Sequence, residues 1–152
     1  MSYELSSWLV ATLKATPAIT AIVGQDTDGN YSIFPYHAKT SDVQPPFPKI
    51  TIARFGSGSA PDKFKFLTTM DTPRIAVCVW AQDNIEACWR LYRLIDPILR
   101  GDNAKISNQY FGAYESKRTA LRDDLFDTEL KAFHLHAEYS IPIQTVAGVV
   151  QA

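Results

Sequence analysis

Two histidines lie two positions apart, at His134 and His136, in a segment where apolar and polar residues alternate. In an extended strand this spacing places both imidazoles on one face, where they could share a metal ion or exchange protons. Glu138 is the next side chain on that face, and no further ligand is evident. Structural zinc usually takes four ligands with cysteine among them. We therefore expect a solvated strand face, with no metal and no cofactor.

Four carboxylates crowd together just before these histidines, and they could hold a divalent cation or supply an acid to the imidazoles. Their spacing does not match a calcium-binding EF-hand loop, which needs oxygen ligands at fixed alternate positions. A charged run of this kind is typical of a solvated turn, and we expect a strand end followed by a turn over residues 115–128. The carboxylates are Asp123, Asp124, Asp127 and Glu129.

The run Gly56-Ser57-Gly58-Ser59 resembles a phosphate-binding loop only superficially. It lacks the Gly-Lys-Ser/Thr that such a loop requires, and Pro61 interrupts the helix that should follow. The chain also lacks the GxSxG turn that carries a nucleophilic serine. None of these residue groups has the spacing of a known catalytic site, so we expect a protein that is not an enzyme.

The segment that follows alternates lysine with phenylalanine, at Lys63, Phe64, Lys65 and Phe66. Basic and aromatic residues interleave in proteins that bind single-stranded nucleic acid, but four residues are too few for that function. A neighbouring subunit is the better partner, because the phenylalanines could anchor an arm while the lysines select the surface. We predict an extended arm over residues 56–69 that contacts another chain.

A strand over residues 74–80 is apolar on both of its faces. Such a strand must be covered on both sides. One helix follows it, over residues 84–99, and covers one side, with Asp83 as the expected N-cap and Glu86 reaching back to it. The second face therefore becomes a candidate interface, and its residues are Ala76, Cys78 and Trp80. Cys78 and the helical Cys88 are expected to be buried free thiols, as in a reducing compartment.

The remaining elements define the fold class. Residues 3–15 and 18–23 read as helices, with Thr16 and Pro17 starting the second and Gly24 ending it. The alternation from Leu130 to Ile143 is typical of a long antiparallel strand with one wet face. We predict an α+β fold in the order α-α-β-β-β-α-β-β, with helices on one face of a mixed, mostly antiparallel sheet. The other predicted strands cover residues 33–36, 49–55 and 106–114.

Composition bounds the class of protein. The 152 residues fit one domain, 1–152, which we expect to end in a flexible tail at 146–152. The net charge of −1 gives no general field for nucleic acid or membrane. The start of the chain lacks the basic region of a signal peptide, and no apolar run has the length of a membrane span.

Four short segments resemble the tail-terminator, or tail-completion, family of long-tailed phages. Residues 13–24, LKATPAITAIVG, look like the family's opening helix and its "L-k-a-d-p-a-l-t-a-l-v-G" pattern. IFP at 33–35 and FPKITI at 47–52 look like its "i-y-p" step and "l-P-y-i-v-i" strand. IAVCVWA at 75–81, followed by a helix, looks like its "v-q-i-d-v-w-a" strand.

The resemblance implies a virion structural protein rather than an enzyme. Family members form a ring, commonly a hexamer, at the head-proximal end of a finished tail tube. The ring stops tube polymerisation and presents a surface for head–tail joining. It implies as partners further copies of the chain, the major tail tube protein, a head–tail connector or stopper protein, and DNA that passes through the channel without sequence-specific binding. It implies assembly in the host cytoplasm and a final place in the virion tail.

Two other classes remain open from the residues alone. A ligand-binding or regulatory α+β domain would have a pocket between the helix at 84–99 and the sheet. A small hydrolase would use His134, His136 and an acid from the 123–129 segment. The oligomeric state of the purified protein separates assembly from the first of these, and the absence of a nucleophile motif argues against the second.

Overall fold

A computed structural model describes residues 2–35, 46–59, 68–100, 111–113, 117–141 and 143–146. Over these residues the chain is an α+β protein, as predicted, with three helices packed on one face of a seven-stranded sheet. No helix among the described residues is long and apolar enough to span a bilayer. The helices are α1 (Ser2–Lys14), α2 (Pro17–Thr20) and α3 (Ile85–Leu99). The strands are β1 (Ile33–Pro35), β2 (Lys49–Ser59), β3 (Thr68–Ala81), β4 (Phe111–Ala113), β5 (Lys117–Asp127), β6 (Ala132–Ser140) and β7 (Ile143–Val146).

The sheet is mixed and mostly antiparallel, which confirms the prediction. The main path runs β1-β2-β3-β6-β5, in which only β1 and β2 are parallel among the described strands. The first part of β3 leaves β6 and pairs instead with β7, which in turn pairs with β4. β3 is therefore shared by two regions of the sheet, and β2 accompanies it from Lys49 to Ser59.

One hydrophobic core lies between the helices and the sheet. Every second residue of β3 points into it, so that Ile75, Val77 and Val79 are at most 1% exposed. α1 contributes Leu9 and Leu13, and α3 contributes a buried stripe. The buried stripe of α3 contains Cys88, Leu91, Tyr92, Ile95, Asp96 and Leu99. The helix predicted over residues 84–99 is thus confirmed, with Asp96 as an unexpected buried member.

Asn84 rather than Asp83 caps the N-terminus of α3. Its side-chain oxygen accepts a hydrogen bond from the Ala87 amide at 2.9 Å. Asparagine and aspartate are about equally good caps, so the pattern alone could not choose between adjacent residues. The predicted capping box of Asp83 and Glu86 is wrong, although the helix starts within one residue of the predicted position.

Gly24 does not end a helix, because α2 stops at Thr20. It lies instead where the backbone passes close to the start of β2. Its amide donates to the Pro48 carbonyl at 2.8 Å, and a Cβ built on it would lie 2.6 Å from the Pro46 carbonyl oxygen. Only a residue without a side chain fits this approach.

Two strands are additional to the predicted order. β5 occupies the charged region expected to be a strand end followed by a turn, and it pairs with β6 along its length with two register shifts. β5 is the edge of the main sheet, where charged residues and bulges discourage further strand pairing. The long strand predicted over 130–143 is divided into β6 and β7, and its alternation is confirmed from Leu135 to Ile141.

Candidate functional site

The three candidate interface residues of β3 lie on the sheet face opposite the helices, which we call the outer sheet face. Ala76, Cys78 and Trp80 are 3%, 9% and 6% exposed within a single chain. Their contribution to an interface stays a prediction. The structure adds that neighbouring side chains of the same chain already cover them. The other candidates, Lys63, Phe64, Lys65 and Phe66, lie outside the described residues.

Trp80 is covered by its cross-strand neighbours on both sides. It is the register partner of Lys49 in β2 and of His134 in β6. The His134 ring stacks on it at a centroid distance of 4.3 Å, and the Lys49 amine lies 5.2 Å from its ring and from the ring of Phe47. The indole N–H donates to the Thr51 hydroxyl at 3.0 Å. A cation held between two aromatic rings in this way is stabilised by their π faces.

Burial governs protonation in this row. It lowers the pKa of Lys49, against which the charge of Asp127 acts. Burial also lowers the pKa of His134; the nearby charge of Asp127 raises it and that of His136 lowers it. The face expected to be solvated is therefore half-buried, and His134 is part of a stacked layer rather than a free imidazole.

The next row of the same face contains Cys78, His136 and Glu138. The Cys78 Sγ lies 3.1 Å from His136 Nδ1, and His136 Nε2 lies 3.0 Å from Glu138 Oε1. Because an ionised carboxylate only accepts, Nε2 carries the proton, and Nδ1 then accepts from the thiol. Cysteine, histidine and acid follow one another in the order found in thiol-dependent enzymes.

Burial nevertheless disfavours the thiolate form of Cys78 in this row. Burial raises the pKa of the Cys78 thiol to about 11, the Thr51 hydrogen bond opposes that shift, and the charge of Glu138 adds to it. The thiolate is the reactive form, so this sulfur keeps its proton near neutral pH. Both nitrogens of His136 are also occupied. His136 pairs with Glu138 rather than with an acid of the 123–129 segment, whereas the charge of Asp127 in that segment acts on His134.

Metal ligation can be judged on the same side chains. Across the described ranges, no three His, Cys, Asp or Glu side chains are grouped so that they could hold an ion. The described side chains of the outer sheet face contact one another by packing, ring stacking and hydrogen bonding.

A second polar cluster lies on the helix side of the sheet, around the buried carboxylate of Asp96. Oδ1 accepts hydrogen bonds from the hydroxyls of Tyr92 and Tyr139, and Oδ2 pairs with Arg100 at 2.7 Å. Arg118 of β5 donates to the Tyr92 hydroxyl. Burial, with the Asp96 hydrogen bond next, raises the pKa of Tyr139, and the Tyr92 hydrogen bond raises that of Arg118. The cluster joins α3 to β6 and β5 on the helix side of the sheet.

The outer side of α3 carries a cavity of about 360 Å³, lined by Glu86, Trp89, Arg90 and Arg93. These residues follow helical spacings of three and four, so one stripe of α3 presents them. Both guanidinium groups are exposed, while Trp89 is half-buried and packs edge-on against Tyr92. The prediction from sequence considered only the side of this helix that covers the sheet. The spacing of three and four residues between the charged side chains also indicates a second stripe on the opposite side.

An aromatic side chain protrudes at the far end of β5. Phe126 is 50% exposed and is the one large hydrophobic residue so exposed among the described side chains. Its ring packs edge-on against Phe133 at 5.0 Å. Asp123 precedes it on β5 and Glu129 follows in the turn to β6, both exposed. Phe126 is thus an exposed aromatic residue with exposed carboxylates three positions before and three positions after it in the chain.

Comparisons with known proteins give a fold relationship. No family model matches the chain, and a search of curated proteins finds no relative. Among solved structures, a chain from the virion of a native gene transfer agent (GTA) particle matches with a TM-score of 0.59 at 7% identity. The match covers 93% of this chain and 94% of that one. At this identity the likeness establishes a shared fold over nearly the whole of both chains.

Proposed function

We propose that this chain is a virion structural protein that forms a closed ring at the head-proximal end of a tail tube. The ring stops tube polymerisation and provides the surface for head–tail joining. Its partners are other copies of itself, the tube protein below, the connector or stopper above, and DNA passing through the channel. The number of copies in the resembled family is commonly six.

One observation carries the proposal. The chain shares its fold with a component of a gene transfer agent virion over 93% of its own length and 94% of the other chain's. A match that spans both chains almost completely favours a counterpart of similar size, not a shared module inside a larger protein. The sequence segments at 13–24, 33–35, 47–52 and 75–81 point to a terminator among virion proteins.

The polar clusters agree with a structural role. The only thiol–imidazole–carboxylate row in the described residues has a buried, protonated sulfur, and the Asp96 cluster is internal to the fold. Both rows fix strands and a helix in place. A structural role requires a rigid fold, and these hydrogen bonds between strands and helix contribute to it.

The test is electron cryo-microscopy of tails made with and without the chain. With it, tails should have one length and carry a ring of its density at the head-proximal end. Without it, the tube protein should polymerise past that length. If tails stay uniform without the chain, or the chain never co-purifies with them, the terminator assignment is wrong. A uniform tail that instead lacks heads would assign the chain to joining alone.

A further inference from the structure

Two surface features of this chain each combine an aromatic ring with charged side chains, of opposite sign in the two cases. The first is the cavity on α3, which we call the basic socket, lined by Glu86, Trp89, Arg90 and Arg93. Among the described residues, neither guanidinium forms an ion pair with the chain's own carboxylates. Two exposed arginines beside a half-buried tryptophan combine the residue types that dominate binding energy in protein interfaces.

The second feature is the exposed end of β5, which we call the acidic knob, defined by Asp123, Phe126 and Glu129. Half of the Phe126 side chain is in contact with solvent. Asp127 is excluded from the knob because its carboxylate accepts from the Glu129 and Leu130 amides and so holds the turn. Among the described residues, the carboxylates of Asp123 and Glu129 accept no such hydrogen bonds.

We propose that the acidic knob of one copy binds the basic socket of the next copy. Phe126 enters the cavity against Trp89, and the flanking carboxylates pair with Arg90 and Arg93. A cavity of about 150 Å³ can hold benzene, so the 360 Å³ socket has room for a phenyl ring. Burying the exposed half of Phe126 removes apolar surface from water, and guanidinium–carboxylate pairs add direction.

The occupant is a second copy because one chain carries both complementary surfaces. They differ in place: the socket faces outward from the helix layer, and the knob lies at the edge strand of the sheet. A contact between two different patches is heterologous, and a heterologous contact produces a ring when its rotation closes. The inference rests on the proposed ring and names the surfaces that would build it.

Two charge-reversed variants test the contact. R90E/R93E makes the socket acidic, and D123K/E129K makes the knob basic. Each alone should self-associate at least about tenfold more weakly than wild type in analytical ultracentrifugation. An equimolar mixture should recover association, because each variant then meets a partner of opposite charge at both surfaces. Recovery in the mixture separates lost contact from lost folding, and circular dichroism of each variant checks folding directly.

The control is K14E/K117E, which changes net charge by the same amount as R90E/R93E at exposed positions outside both surfaces. It should associate as wild type does. The same chains are then assayed on purified tails, so that rings that form only on the tube are also seen.

Several results would overturn the proposal. If both reversed variants form rings like wild type, the contact lies elsewhere while the ring itself stands. If both lose association and the mixture does not regain it, the two surfaces do not meet. If R90E/R93E keeps self-association but binds duplex DNA less tightly, the socket serves nucleic acid instead. If wild-type protein forms no ring in solution or on tails, the proposed function fails as well.

Discussion

Asp96 is a buried carboxylate that accepts hydrogen bonds from two tyrosines and forms an ion pair with Arg100. Asp96→Ala would leave the Tyr139 and Tyr92 hydroxyls without their acceptor in a site that is 6% exposed. We expect the free energy of unfolding to fall by about 3 kcal/mol or more, because each unsatisfied buried donor is costly. Chemical denaturation monitored by tryptophan fluorescence measures it.

The matched control is Asp83→Ala, an exposed carboxylate just before the same helix. It should change the free energy of unfolding by less than about 0.5 kcal/mol, because Asn84 supplies the cap. Equal effects at the two positions would mean that the Asp96 cluster contributes no more than an ordinary surface charge.

The two thiols give a pH prediction. Burial raises the pKa of both Cys78 and Cys88 to about 11, from 9.0. Above pH 9 the unfolded chain loses thiol protons that the folded chain keeps, so the free energy of unfolding should decrease as pH rises from 9 to 11. Cys78→Ala should show a shallower decrease over that range than wild type. At pH 8, iodoacetamide should label neither thiol until the protein unfolds; rapid labelling of native Cys78 would indicate a reactive thiolate.

At the scale of single residues, burial was easier to predict from the sequence than side-chain contacts. Both cysteines were expected to be buried, and both are. The contacts of His136 with Cys78 and Glu138 were not predictable, because they depend on the register between β3 and β6. Asp96 was missed because an acid within a helix is normally solvated, and only the tertiary position of Tyr139 makes its burial favourable.

Among the elements, the segment from Gly24 to Ser32 is fastened to β2 by backbone hydrogen bonds. Gly24 donates to Pro48, Ser32 donates to Gly24, and Ile50 donates to Ser32, each at 2.8 Å. Gly24→Ala would force its new methyl group against the Pro46 carbonyl and should cost about 1–3 kcal/mol by overpacking. Hydrogen exchange should accelerate at the Ser32 and Ile50 amides.

Gly29→Ala is the comparison, since Gly29 has a φ of +86° and only the Gln25 side chain lies near the place that a new methyl group would take. Its strain should stay within the turn at 26–30, leaving exchange at Ile50 unchanged. Slowed or unchanged exchange at Ile50 in Gly24→Ala would show that these backbone hydrogen bonds do not hold the segment on β2.

The arm predicted over 56–69 is the second element with a testable consequence. Gly56 to Ser59 pair with β3, so the base of the arm is a strand pair rather than a free hinge. Replacing residues 60–67 with Asn-Gly leaves a five-residue connection between Ser59 and its register partner Asp71, a length that hairpins use, and should leave the melting temperature near that of wild type. It should weaken the ring or release tails of uncontrolled length. Unfolding would place the arm in the core, and normal capping would make it dispensable.

Element types were largely predictable, and element ends were not. The three helices and the central strand follow from periodicity, which depends on nearby residues only. Charges dominate β5 and so favour a turn, yet an edge strand with one half of its pairing positions free tolerates such charges. Alternation that continues across residues 141–143 hides the boundary between β6 and β7, where the pairing partner changes from the second part of β3 to its first.

For the whole molecule, the knob-and-socket contact predicts how assembly responds to salt. Charge pairs at a rim weaken as the Debye length shortens from about 10 Å at 0.1 M salt to about 3 Å at 1 M. Ring formation measured by light scattering should therefore decline over that range. An interface dominated by apolar burial would persist or strengthen in sulfate. Association that increases with salt in wild type would contradict the arginine–carboxylate contact.

The shared strand β3 also determines how the protein would respond to mechanical force. Its 14 residues run without interruption from Thr68 to Ala81, flanked by β2 on one side and by β7 and then β6 on the other. A pull along the strand axis would load these hydrogen bonds together, in shear, because they lie across the direction of pulling. A pull at right angles would open them one pair at a time. The hydrogen bonds of β3 would therefore resist a force along the strand better than a force across it.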